Sequence, residues 1–481
     1  MKPRFSRWIL WFLVFSYPLA GQNTSGPGEV WNRDRLLSAA MAGNNAYLLS
    51  ESRSREARSV LSAAKAARLP VIRFSSNLSY LINPPEVTIK TGSLFPGGTI
   101  PVNTSVPPMP PMTTNLPFPA LPETDTAIRL RENTQYEFSL SLEQPVFTWG
   151  RIHNSVKAAD LGSRASVLEM EQEKRNIRTA LDGHLYTLGF LTEIRGFLAE
   201  QRRCAERLSV IAEESYAEGF LLQGDLLSIR LLASELTLGD YQITEAWESS
   251  FRTVKTLTSL PGLTPSQIKP PSREGLARDS LAFSREDTER LLAKARAENV
   301  GLKLLSLRGQ AADRLLAAAK GQYYGKPELG LFLQLTYGGP DFPFIQRGWK
   351  TDNNLGLTTT VGIRSLLFDG GNVHHTIRQK EEALVQARLA EEGSRRELEE
   401  YLEKALLSLE VSARRREYLS LKIETARVRK DTAEAAWKSG YGEEREYLTQ
   451  EISWLQDRIT LLQEELNSLI TALQLENVTG F

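Results

Sequence analysis

Gln144-Pro-Val-Phe-Thr-Trp-Gly-Arg151 opens a run without proline until Pro261, and that run contains Tyr216-Ala-Glu-Gly-Phe220 and Gly224-Asp-Leu-Leu227. The pattern occurs twice. A shift of 221 positions lays Phe147 on Phe368, Gly150 on Gly371, His153 on His374, Leu188 on Leu409, Tyr216 on Trp437, Gly219 on Gly440 and Leu227 on Leu448, without a gap. Loops do not hold so long a register, whereas a rigid helix of fixed length does. At 1.5 Å per residue, the stretch from about Ser155 to Ser215 makes a rod of roughly 90 Å. Ordinary globular helices run to three or four turns.

The segment ahead of this unit is repeated too. With a shift of 255, Leu36-Leu37 falls on Leu291-Leu292, Asn44 on Asn299, Leu49 on Leu304 and Ala63-Ala-Lys65 on Ala318-Ala-Lys320. Residues from about Trp31 to Leu69 are helix-forming and stop at Pro70, which cannot continue a helix. The chain therefore divides into a first repeat over 21–260, a linker over 261–284 and a second repeat over 285–481. Pro261, Pro265, Pro270 and Pro271 mark the linker, and Ser284-Arg-Glu-Asp287 resembles a capping box opening the next helix.

Between helices the period changes to two. Val71–Tyr80 is strand-like, and Tyr136, Phe138, Leu140 and Leu142 alternate with Glu137, Ser139, Ser141 and Glu143. In the second repeat Leu329, Leu331, Leu333, Leu335 and Tyr337 form one such series, and Leu355, Leu357, Thr359, Val361 and Ile363 another. One face of each strand is apolar and the other small or polar, the pattern of an outer-membrane barrel strand. A soluble sandwich alternates as well, but four strands neither bury a core nor close a barrel. A bilayer tolerates no open edge, so several chains must pool strands: eight from two chains or twelve from three. The strand pairs are joined by a proline-dense stretch, 83–133, in the first repeat and by the short 338–353 in the second. The long one reads as an extended, surface-exposed loop.

Met1 to about Ala20 has a basic start, an apolar core from Trp8 to Phe15 and a small-residue exit, the marks of a secretory signal peptide over 1–20. The formal net charge is zero, so bulk electrostatics names no nucleic-acid partner. Cys204, the single cysteine, excludes an internal disulfide framework. His153, His184, His374 and His375 have neither ligand nor triad spacing, and no cofactor, metal or enzymatic chemistry is expected.

Strand, Gln-Pro-Val-Phe…Gly-Arg, very long helix, an aromatic before Gly, then Asp-Leu-Leu, all duplicated: this resembles the TolC-like outer membrane efflux protein family. The second repeat departs in having Arg364-Ser-Leu-Leu-Phe368 without the proline and Glu446 where the first has Asp225. The resemblance implies a homotrimer whose twelve-stranded β-barrel lies in outer-membrane lipid, continuous with a coiled-coil-like α-barrel reaching through the periplasm. Implied partners are a periplasmic adaptor and an inner-membrane pump or ABC transporter, as in tripartite efflux or type I secretion. A periplasmic coiled-coil adaptor or scaffold, or a barrel-anchored surface adhesin using 83–133, are the competing readings. Loss of adhesion with intact efflux on deleting that loop would single out the adhesin.

On this resemblance the turns Glu218–Asp225 and Ser439–Glu446 form the periplasmic entrance. Gly219 and Gly440 would end the rods as left-handed caps, while Gly150 and Gly371 make the strand-to-rod turns. Asp225, Glu443, Glu444 and Glu446 are candidates for carboxylate rings once the chain is repeated about an axis, and such rings favour cations. An acid near a helix N-terminus is also a plain capping choice for Asp225 and Glu446. The resemblance further matches Tyr441 to a tyrosine that helps close the family's entrance and puts Arg445 near a linking arginine. Opening would be an untwisting of inner helix pairs biased by the adaptor.

Overall fold

The computed structural model describes residues 30–83, 85–90, 97–104, 112–120, 122, 124–129, 132–269 and 285–479. The expected signal peptide, Ser284 of the capping box and residues 270–284 of the linker lie outside them. The chain forms two compact units, one comprising 60–159 and 312–384 and the other the remaining residues.

The first unit is built on a four-stranded antiparallel sheet in the order β1 (Val71–Tyr80), β6 (Thr134–Phe147), β7 (Glu328–Gly339), β8 (Asn354–Arg364). Its register sets Phe74 against Leu140, Phe138 against Tyr337 and Leu335 against Leu357, so the apolar series share one face. The other face carries the Arg73–Glu143 ion pair at 2.9 Å and the Ser75–Ser139 hydroxyl pair at 2.7 Å. Close to its end β6 shifts register between Pro145 and Phe147. Proline has no N–H to give a ladder, and a bulge is where a strand tolerates it. Trp149 (φ 48°) and Gly150 (φ 77°) then turn the chain, and Thr148 Oγ1 accepts from the N–H of Ile152 at 3.5 Å.

The proline-dense stretch, read from sequence as an extended, exposed loop, is more regular than that reading among its described residues. It holds four more strands: β2 (Glu86–Lys90) pairs with β5 (Asp125–Arg129), and β3 (Gly98–Thr104) with β4 (Met112–Phe118). A two-stranded ribbon has an open edge on both sides, so Pro101 and Pro117 sit in it without breaking a ladder. Proline density hid the short alternation around them.

In the second unit α1 (Arg33–Gly43) and α2 (Asn45–Ala66) form the first helical segment, which sequence alone read as one helix. Asn44 divides it: its Oδ1 accepts from the N–H of Ala46 at 2.9 Å while its Nδ2 donates to Leu257 O at 3.2 Å. Asn299 does the same between α5 (Arg285–Glu298) and α6 (Val300–Lys320), accepting from Leu302 N and donating to Val478 O, both at 2.9 Å. The Asn44/Asn299 repeat therefore marks a cap that also ties each break to the end of its repeat's last helix.

The long helices are α3 (Arg151–Ala217) and α7 (Asn372–Lys438), each of 67 residues, followed by α4 (Gln223–Thr258) and α8 (Glu444–Thr479), each of 36. In α8 the buried positions Leu448, Ile452, Leu455, Ile459, Leu462, Leu466, Leu469 and Leu473 alternate at spacings of four and three. That is a heptad seam, and it packs on Ile194, Leu198, Ala205 and Leu208 of α3. Gln201 lies fully buried in the seam and donates to Ile452 O at 2.9 Å, a polar pin for the register of the two helices. Within the chain α3 also holds α4, through Arg202–Asp240 and Arg230–Glu213 (both 2.9 Å), and α8 holds α7, through Lys422–Asp457 (2.6 Å) and Arg415–Glu464 (3.2 Å). The lateral order is thus α4, α3, α8, α7. Leu402 of α7 is fully buried with Leu291, Leu409 and Leu475. Replacing it by Ala is expected to cost about 2–5 kcal/mol, read as a lowered midpoint in circular-dichroism melting; an unchanged midpoint would contradict this packing.

Candidate functional site at the helix turns

Two turns in the helical unit carry the candidate residues. The first closes α3: Gly219 has φ 83°, and the N–H groups of Phe220 and Leu221 both reach back to Ser215 O, at 2.8 and 3.2 Å. Only glycine takes that left-handed position without strain. Phe220 and Leu222 project outward, exposed, and Asp225 lies exposed in the first turn of α4. The second turn repeats the geometry, with Gly440 at φ 77° and the N–H groups of Tyr441 and Gly442 each 3.0 Å from Ala436 O. Tyr441 is 93% exposed.

The acids divide by partner. Glu443 takes Arg445 at 3.2 Å, so this arginine stays within its own turn. Glu446 accepts from Gln450 Nε2 at 2.7 Å, one turn along α8. Glu444 receives both Nε and an Nη of Arg207, each at 2.9 Å, and this fork joins the first turn of α8 to α3. The Arg207 hydrogen bonds hold the Glu444 carboxyl below the usual carboxylate range, and the same contact raises the guanidinium. Behind the second turn Trp437 and Tyr447 stack at 5.3 Å and 5°, with the Tyr447 hydroxyl pushed up by burial and then by Glu451.

Arg207 was not singled out by sequence. The repeat shift lays it on Val428, so duplication gives no signal. Its role follows only from the packing of α3 on α8. Of the histidines, His184 bonds Ser250 Oγ at 3.0 Å between α3 and α4 and His374 stacks edge-on with His375. Among the described residues no group of three His, Cys, Asp or Glu could hold a metal, and no helix is long and apolar enough to cross a membrane. Cys204 is buried, its thiol pushed up to about 12 by burial and nearby Glu451, which suits packing rather than reactivity.

Residues 289–481 match the family model described as outer membrane efflux protein. Among curated proteins none matches by sequence. Solved structures are similar over most of their length. CusC, a protein studied for folding and transmembrane channel formation, superposes with a TM-score of 0.70 at 13% identity, covering 93% of this chain and 91% of its own. The outer membrane protein VceC of Vibrio cholerae gives 0.67 at 15%, covering 93% and 96%. The CmeC outer membrane channel of Campylobacter jejuni gives 0.66 at 13%, covering 93% and 85%. At such identities the likeness shows the fold alone, which this chain shares with these proteins.

Proposed function

We propose that this chain, whose residues 289–481 match the outer membrane efflux protein family model, is a passive exit duct of the outer membrane for an efflux pump or type I secretion system. The observation that carries this is a pair of matched, unsatisfied edges. The sheet leaves β1 and β8 as open edge strands and its apolar face exposed at Phe74, Leu78, Leu355 and Leu357. An edge and an apolar face of this kind need a lipid surround and neighbouring strands. The helical unit has edges as well. On α4 an exposed stripe runs through Leu227, Leu231, Leu238 and Tyr241, and on α7 another runs through Leu407, Val411, Tyr418, Leu421 and Val428. These are heptad spacings on the two outermost helices of the order α4-α3-α8-α7.

Cyclic repetition satisfies both at once, since β8 of one copy can pair with β1 of the next while α7 meets α4. Three copies give the twelve-stranded barrel and the twelve-helix periplasmic tube, each chain contributing the two repeats 21–260 and 285–481. The helix turns then surround the periplasmic mouth. A periplasmic adaptor and an inner-membrane pump or ABC transporter would deliver cargo there, and the duct itself would carry no catalytic chemistry. The test is fractionation: untagged native protein should be extracted from outer membranes as a particle of three 53.9 kDa chains less the signal peptide. A soluble periplasmic monomer would contradict the duct and favour the adaptor reading.

At the mouth Asp225, Glu443, Glu444 and Glu446 form rings of threefold carboxylates that draw cations, with Tyr441 narrowing the opening. Neutralising Glu443, Glu444 and Glu446 together is expected to lower cation preference severalfold, measured as the reversal potential under a salt gradient. Unchanged selectivity would remove the ring.

A further inference from the structure

Residues 340–353, which connect β7 to β8, place Phe342, Phe344 and Trp349 against Phe74, Phe138 and Tyr337 of the sheet, and together these border an open aromatic pocket. Its cavity of about 490 Å³ is lined by Phe74, Phe138, Tyr337, Phe342, Phe344 and Trp349. Phe342 stands edge-on to Tyr136 at 5.1 Å and to Phe138 at 6.1 Å, and Phe344 lies 4.7 Å from Trp349. The connection is fixed in place by hydrogen bonds. Asn353, buried, donates to Asp341 O at 2.6 Å and to the Tyr337 hydroxyl at 3.2 Å, while that hydroxyl donates to Trp349 O at 2.8 Å. The pocket is therefore held open by the fold.

Two features say what it is for. Phe344 has φ 65°, a strained conformation for a bulky side chain, and is nonetheless 85% exposed, with Ile345 beside it exposed as well. Strain spent on presenting apolar surface outward is retained where that surface has a ligand. A pocket walled by aromatic rings offers water no partners and suits a hydrocarbon chain. The adjoining 3₁₀ turn, Arg347–Lys350, then places two exposed cations at the rim, with Lys350 Nζ 5.3 Å from the Trp349 ring. The facing acids are Asp341 and Asp352, whose carboxylates both lie against Gly348. Arg347 and Lys350 thus stand exposed beside the pocket.

We propose that this pocket takes an acyl chain of an anionic phospholipid of the surrounding bilayer, with Arg347 and Lys350 meeting its phosphate. The pocket opens on the same sheet face that the duct reading turns toward lipid, and the inference rests on that reading. It makes the connection a lipid-anchoring element of the barrel rim.

The test uses the full chain in phosphatidylcholine vesicles containing phosphatidylglycerol brominated in its acyl chains. The signal of Trp349 is the difference in fluorescence between the native protein and Trp349→Phe. Brominated phosphatidylglycerol should quench that signal more than brominated phosphatidylcholine at equal mole fraction. Arg347→Gln with Lys350→Gln should erase the preference, which can reach roughly twenty-five-fold at about fivefold per surface cation. Phe344→Ala should weaken quenching by both lipids. A chain that floats with the vesicles but whose Trp349 is unquenched, or is quenched equally by the two lipids, overturns the inference and leaves the duct standing. A chain that does not float with vesicles overturns both.

Discussion

Leu231→Asp with Leu238→Asp in α4 is expected to reduce the detergent-extracted particle from three chains to one. Both leucines are exposed within the single chain and lie on the heptad stripe of an outermost helix. Each is more than half exposed, so helix content in circular dichroism should be retained. In the closed ring each would be buried against the next copy. Burying a leucine contributes about 1.5–3 kcal/mol, and an unpaired carboxylate in its place carries a desolvation penalty on top. Repeated at three interfaces, the loss exceeds what marginal association can absorb. Leu421→Asp with Val428→Asp in α7 should give the same monomer, and combining the two pairs should add nothing further because both act on one interface. A persistent trimer in either variant would mean that the stripes face something other than each other.

Glu444→Gln is expected to raise ion conductance at neutral pH severalfold. The Arg207–Glu444 fork joins α8 to α3 beside the second turn, so it resists relative movement of the helices that would frame the mouth. The pair is partly exposed, with 53% and 24% of the two side chains accessible, so a single link is weak. In the proposed trimer three copies acting on one opening would multiply it. The pH dependence follows in sign from the lowered carboxyl. A depressed carboxylate stabilises the joined form above its ordinary pKa, and that stabilisation is lost as pH falls through the lowered value. Native conductance should therefore rise on acidification below the ordinary carboxylate range. In Glu444→Gln the rise should be largely absent, because the link is already gone. Arg207→Gln should match it at neutral pH, whereas Arg445→Gln, whose partner Glu443 lies within the same turn, should leave the closed state nearly unchanged.

Much of this architecture was legible because long helices and paired strands impose strict periods. Alternation alone puts Phe138 and Tyr337 on the apolar faces of their strands, which the structure then sets side by side, and Gly219 and Gly440 stand where an uninterrupted rod must reverse. Asn44 and Asn299 were visible as a repeat, but their meaning was not, since a mid-segment cap needs a carbonyl from Leu257 or Val478 far along the chain. The ribbons β2/β5 and β3/β4 were hidden because proline signals loop locally, and only the edge position of a two-stranded ribbon excuses it. Trp149 in a left-handed conformation is invisible to propensity: its indole N–H donates to Pro327 O at 2.9 Å, a tertiary contact that holds the turn. Arg207 is the clearest omission at the candidate site. It lies on an ordinary helix face, and its partner is fixed only by how the heptad seam of α8 packs on α3.

Current through a planar bilayer is the most direct measurement of the central claim. Purified native protein added to one side should give discrete, cation-preferring conductance steps, small at neutral pH and enlarged in Glu444→Gln. A protein that inserts no conducting unit, in the native form and in Glu444→Gln alike, would contradict the account.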